Sequence, residues 1–160
     1  MRTILVSRCL LGAPCRYDGR CGRPLASLLA VHTGLKLVPI CPEVDGGLST
    51  PRPAAEIAPG ADGHDVLAGR AGVFNTDGDD VTHAYVTGAH QAVVLAWQTG
   101  ATQAFLRARS PSCGCRAHYD GRFSGHLASG PGVTAAALQQ AGLTVADDSE
   151  DNALAKLLNG

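Results

Sequence analysis

Four short apolar runs set the strongest constraint on how this chain folds. They are Thr3-Ile4-Leu5-Val6-Ser7, Leu35-Lys36-Leu37-Val38-Pro39-Ile40, Ala101 to Arg107 and Leu143-Thr144-Val145-Ala146. Each has strand length, and their nearly continuous hydrophobicity suits strands buried on both faces. Helical patterns separate them. Pro24 opens a predicted helix reaching about His32, with Gly34 after its end. A longer helix is predicted over 79–98, with Val81, Tyr85, Gly88, Ala92 and Leu95 on one face and Gly100 as its stop. An alanine-rich helix over Thr134 to Ala141 stops at Gly142. A final short helix carries Leu154, Leu157 and Leu158, with Ser149 as its expected cap.

Strands alternating with helices predict an α/β chain with a mostly parallel sheet covered on both faces, a three-layer, Rossmann-like arrangement. The 160 residues are about one domain's worth, enough to bury roughly 70% of the unfolded surface, so 1–160 is expected to form a single domain. Residues 42–77 are rich in Gly, Pro and Asp, and a small hairpin between Asp65–Leu67 and Ala71–Val73 is expected there. The stretch 109–132 reads as a loop.

A core of this size needs no disulfide staples, yet the chain carries six cysteines. No secretory signal is evident, because the run at Ile4 to Val6 is too short and Arg8 follows at once. No stretch approaches the roughly 20 apolar residues of a membrane span. The expected setting is the cytoplasm, where clustered thiols bind metal or react rather than cross-link. Net charge is −1 and aromatics are 4%, so neither a nucleic-acid footprint nor a stacking surface with many platforms is indicated. Oligomeric state has no signal.

The cysteines matter by position. Cys9 follows the first predicted strand, Cys41 the second and Cys113 the third. In an open parallel sheet, ligands bind at the carboxyl ends of the strands, so three thiols distant in sequence are expected at one edge. Their loops are rich in Gly, Pro and Arg, poor material for a core but suited to stabilising thiolate. No CxxC pair is present, so a zinc knuckle is not indicated, although Cys9, Cys15, Cys41 and Cys113 leave a nonlocal zinc site open. An iron–sulfur cluster is the other reading. A cubane held by three cysteines leaves one iron open as a soft Lewis acid. Arginine outnumbers lysine 11 to 2, and the arginines gather near Cys9 and Cys113. They would offset a cluster's negative charge and favour an anionic, phosphate-bearing substrate.

Glu43 lies two residues after Cys41, and if that segment is extended both side chains share a side. A carboxylate in a dry pocket there could move protons. Ser110-Pro111-Ser112-Cys113-Gly114 is a tight turn whose hydroxyls could donate to a substrate. Thr50-Pro51-Arg52-Pro53 is a stiff segment carrying a cation. Asp18 and Asp120, each in a Tyr-Asp-Gly step, are read as turn residues bonding their own backbone. His83 and His90 on the long helix lack partner motifs. No GxGxxG or P-loop appears. Two other functions stay open: a Cys-rich zinc or cluster-binding module without catalysis, and a thiol enzyme handling persulfide.

The combined motifs resemble a known family. They are Ile4-Leu5-Val6-Ser7-x-Cys9-Leu10-Leu11-Gly12-x-x-Cys15-Arg16-Tyr17-Asp18-Gly19, then Cys41-Pro42-Glu43-Val44-x-Gly46-Gly47-Leu48, Thr50-Pro51-Arg52-Pro53-x-x-Glu56-Ile57, Ser110-Pro111-Ser112-Cys113-Gly114 and Tyr119-Asp120-Gly121. This pattern, spanning nearly the whole chain, is similar to the thiouracil desulfidase (TudS) family. The resemblance implies a small α/β domain with a 4Fe–4S cluster held by Cys9, Cys41 and Cys113. It implies non-redox removal of sulfur from a small-molecule thiolated pyrimidine, with Glu43 as the proton-handling carboxylate and Ser110 as its partner in the pocket; Glu43 or Ser110 is expected to relay a proton as the C–S bond breaks. Arg16, Tyr17, Arg52 and Ser112 are the expected substrate contacts. Cys21 and Cys115 depart from the family pattern.

Overall fold

A computed structural model describes residues 2–20, 34–150 and 152–159. In chain order its elements are β1 (Arg2–Ser7), a 3-10 turn (Arg8–Leu11), β2 (Leu35–Ile40), α1 (Pro42–Asp45), β3 (Ala55–Ile57), α2 (Gly63–Leu67) and β4 (Val73–Asn75). There follow α3 (Thr82–Thr99), β5 (Gln103–Leu106), β6 (Ala117–Tyr119), β7 (Leu127–Ser129), α4 (Val133–Gln140), β8 (Thr144–Asp147) and α5 (Ala153–Asn159). The helix expected over 24–32, and Cys21, lie outside the described residues.

The four apolar runs form one sheet in the order β2-β1-β5-β8, with every pairing parallel. Alternate side chains of a strand point to opposite faces, and this separates the core into two layers. Leu5, Val38, Ile40, Ala104 and Leu106 pack with Ala92 and Ala96 of α3 and with Ala135 and Leu138 of α4. On the other face Ile4, Val6 and Phe105 pack with Leu154, Leu157 and Leu158 of α5. The result is the predicted α/β arrangement with helices on both faces. Pro39 sits in β2, at the end of the strand order, where its missing N–H is tolerated. None of the described helices is long and apolar enough to cross a membrane.

A third cluster lies beyond α3 and α4, where Ile57, Val66, Val73, Tyr85, Ala89, Val133 and Ala137 pack together. Two antiparallel ribbons, β3–β4 and β6–β7, flank the main sheet. Here the structure corrects the sequence reading. Residues 65–67 belong to α2, and the strand partner of Val73–Asn75 is Ala55–Ile57. Asp62 explains the helix: its carboxylate accepts from the His64 and Asp65 N–H groups while Asp65 accepts from the Asp62 N–H, a reciprocal capping box. The expected loop 109–132 contains the β6–β7 hairpin. Ser149 does not cap α5, since its N–H and hydroxyl turn back to Asp147. Asp18 and Asp120 are turn residues as read, accepting from the Arg20 and Arg122 N–H groups at 2.9 and 3.0 Å.

Two glycines allow α1 to lie directly on α3. A Cβ at Gly46 would overlap the Ala84 carbonyl oxygen, and one at Gly88 would overlap that of Pro42. This close approach fixes the turn that carries Glu43. Gly88→Ala is therefore expected to lower stability by about 1–3 kcal/mol through overpacking, read as a drop in the urea midpoint at unchanged slope.

Candidate active site

The sheet order creates the site. From β1 the chain passes to β2 on one side and to β5 on the other, so a crevice opens between the carboxyl ends of β1 and β5. Cys9 in the 3-10 turn after β1, Cys41 immediately after β2 and Cys113 in the loop after β5 are 6%, 8% and 5% exposed. All three line one cavity of about 530 Å³.

Side chains tie the strand ends together. The Ser7 hydroxyl accepts from the Arg107 N–H at 2.9 Å, joining β1 to β5. Arg8 pairs with Asp45 Oδ1 at 3.0 Å, while Asp45 Oδ2 accepts from the Cys41 N–H at 3.1 Å. One carboxylate thus clamps the Cys9 turn to the Cys41 turn. Beyond β8, Asp148 accepts from the Ala108 N–H at 2.7 Å. Asp147 accepts from both the N–H and the thiol of Cys115, at 3.0 and 3.3 Å. Ser110 organises the Cys113 turn, its oxygen accepting from the N–H groups of Ser112 and Cys113, each at 3.0 Å. The carbonyls of Pro111 and Ser112 in turn accept from the first-turn N–H groups of α4 at Val133 and Ala135.

Glu43 enters the cavity by a different route from the one expected. Its segment is not extended: Pro42 starts the single turn α1, and that turn swings Glu43 inward. In the cavity the carboxylate is held by three donors. Oε1 accepts from the buried Tyr85 hydroxyl at 2.8 Å and from Arg52 Nε at 3.2 Å, and Oε2 accepts from the Ser112 hydroxyl at 3.0 Å. Ser110 Oγ lies 2.9 Å from Ser112 Oγ. A carboxylate oxygen only accepts, so the Ser112 hydrogen is committed to Glu43 and Ser110 must donate to Ser112. The hydroxyls form a directed chain from Ser110 through Ser112 to Glu43. Arg52 is further fixed by the Cys15 carbonyl at 3.0 Å, and its own N–H donates to the Tyr17 carbonyl at 2.8 Å.

The cavity brings together Cys9, Cys41, Cys113, Glu43, Ser110, Ser112, Arg16, Tyr17 and Arg52. It also includes Cys15, whose backbone carbonyl accepts from the Cys41 thiol at 3.7 Å. Sequence reasoning missed Tyr85, taken only as one of a helix's packing residues, although a tyrosine among alanines and glycines carries a hydroxyl that burial obliges to find a partner. It also missed Asp45 and Ser7. Cys115 points to Asp147 and is not among the cavity residues.

The described cysteines are free. Burial pushes Cys113 up to about 12, against the Ser112 and Ser7 hydroxyls that pull it down. The hydrogen bond with Cys15, then burial, drives Cys41 far upward. Soft, buried thiols from three strand ends around one cavity suit an iron–sulfur cluster, whose irons displace the thiol protons on binding. Among the described residues no three His, Cys, Asp or Glu side chains form a single-ion site. Arg8, Arg16, Arg107 and Arg109 line the same cavity and supply positive charge against a cluster's thiolates.

Comparison with known proteins agrees with this geometry. The family described as 2-thiouracil desulfurase matches residues 4–150. The chain is 44% identical over 149 residues to the uncharacterized protein YbbK of Bacillus subtilis (strain 168), covering 93% of this chain and 97% of the relative. The solved structure of the 4Fe–4S-dependent thiouracil desulfidase TudS is similar at a TM-score of 0.83 and 38% identity, covering 99% of this chain and 97% of the other.

The thiols set an alkaline limit on the cluster-free protein. Cys113 and Cys115 are both raised from 9.0 to about 12, chiefly by burial. Their neutral forms favour the folded state below the unfolded value, and that stability is lost as pH rises from about 9 toward 12. Urea titrations should show the cluster-free protein less stable at pH 10 than at pH 8, by about 1 kcal/mol from Cys113 alone.

Proposed function

Because the chain belongs to the 2-thiouracil desulfurase family, we propose that it removes sulfur from a thiolated pyrimidine as sulfide, acting as one desulfidase domain on a 4Fe–4S cluster held by Cys9, Cys41 and Cys113. The observation that carries this reading is the meeting of three buried strand-end thiols with a carboxylate held by three donors in one cavity. When bound, the cluster supplies a soft Lewis acid toward the thiocarbonyl sulfur, with no redox partner required.

The chain's own residues handle protons and position. Oε1 of Glu43 is doubly occupied by Tyr85 and Arg52, whereas Oε2 carries only the Ser112 bond. Oε2 is therefore the atom that takes a proton from the attacking water and returns it as the C–S bond breaks. The Ser110–Ser112 chain ends at that oxygen and gives the proton a second path to the cavity. Arg52 and Tyr85 keep the carboxylate aimed. Arg107 and Arg109 line the cavity without an ion-pair partner among the described residues, which supports a reach to phosphate-bearing substrates.

Protein prepared without oxygen should be brown and release sulfide from 2-thiouracil. Colour with no turnover of thiolated bases or their nucleotides would overturn the proposal. Serine at Cys9, Cys41 or Cys113 should remove the visible absorbance together with activity. Glu43→Gln should keep the colour and lower kcat by about 10²–10⁴-fold, as loss of a general base does. Arg107→Ala should raise KM for a thiouridine monophosphate while leaving that for free thiouracil unchanged.

A further inference from the structure

Two non-glycine residues among those described have left-handed backbone, Arg109 at φ 67° and Phe123 at φ 54°. Both line the active-site cavity. A bulky aromatic residue in this region is strained and persists only where its surroundings over-determine it. Here the surroundings are visible. Glu56, buried in the middle of β3, directs Oε1 at the loop joining β6 to β7, accepting from the Gly121 N–H at 2.9 Å and the Phe123 N–H at 3.2 Å. Gly121, at φ 91°, lies so close to the Ile57 carbonyl that no side chain fits. Asp120 and His126 close the loop with a 3.0 Å backbone bond.

Packing does not account for this effort. Phe123 is 42% exposed, so its ring contributes little to any core, and glycine or asparagine would satisfy the turn at less strain. What the arrangement achieves is to place a part-exposed aromatic residue at the lining of a cavity that also carries the thiols and Glu43. We propose that Phe123 is the stacking platform for the pyrimidine ring and a specificity-determining residue of this site, held in place by Glu56. The identity of the ring rests on the desulfidase reading; the platform itself rests on the loop. A flat heteroaromatic ring with few apolar substituents gains most of its orientation from such a face, because stacking needs no directional donor.

The test compares wild-type protein with Phe123→Asn, which suits left-handed backbone, and Phe123→Tyr, all loaded with cluster. Phe123→Asn should raise KM for 2-thiouracil about tenfold to a hundredfold, the loss expected for one base–aromatic stack, with kcat and visible absorbance changed less than about twofold. Phe123→Tyr should restore KM. An unchanged KM in Phe123→Asn overturns the platform. A second measurement needs no turnover. The chain has one tryptophan, so Phe123→Trp in a Trp97→Phe background places the only indole at the site. Uracil should quench its fluorescence, and absence of quenching at millimolar uracil also overturns the proposal. The two ideas fail separately: sulfide release with an unchanged KM removes the platform alone, whereas quenching without sulfide release from wild-type protein removes the desulfidase reading alone.

Discussion

One carboxylate joins the parts of this site. Glu43 accepts from Arg52, Tyr85 and Ser112, and these groups come from the stiff segment before β3, from α3 and from the loop after β5. Its pairing with Arg52 is largely removed from water, with the two side chains 16% and 6% exposed. In such surroundings loss of one partner leaves the other charge uncompensated, so the four segments are held as a unit. The same bonds that hold the segments distinguish the two carboxylate oxygens, one saturated and one available. Structural restraint and chemical asymmetry thus arise from a single set of donors.

The parallel sheet decides where that unit sits. Strands running the same way deliver all their carboxyl ends to one edge, and the strand order makes β1 and β5 neighbours there. Loops leaving that edge have lost the ladder and must find other partners for their backbone groups. Ser7, Asp45, Asp147 and Asp148 accept from main-chain N–H groups of Arg107, Cys41, Cys115 and Ala108. Polar side chains at the strand ends therefore take over the role of the sheet. The three thiols line one cavity, where a soft metal would bind them as thiolates.

Local reasoning failed at three short segments. The segment 65–67 looked like a strand by its apolar residues, but the Asp62–Asp65 capping box made it a helix. Glu43 was expected to reach the cavity along an extended segment, whereas Pro42 opens a helical turn that brings it there. The β6–β7 hairpin lies in a stretch without alternating hydrophobicity, because its strands are three residues long and partly exposed. The three causes differ: a capping box, a proline at the start of a turn, and strands too short to carry a hydrophobic pattern. Where a polar residue acts on its own neighbours, as at Asp18 and Asp120, the sequence was sufficient.

By itself the sequence determined the alternation of strands and helices, the parallel sense of the sheet and the delivery of Cys9, Cys41 and Cys113 to one edge. These follow from periodicity and from the rule that parallel strands end together. Only the tertiary structure decided that the Tyr85 hydroxyl and Ser112 meet on Glu43, across 42 and 69 residues of chain, and that Glu56 holds Phe123 in a strained turn. Such contacts carry no periodic signature. They depend on where separate loops leave the sheet and on which donors are left without a partner, and that is settled when the layers pack.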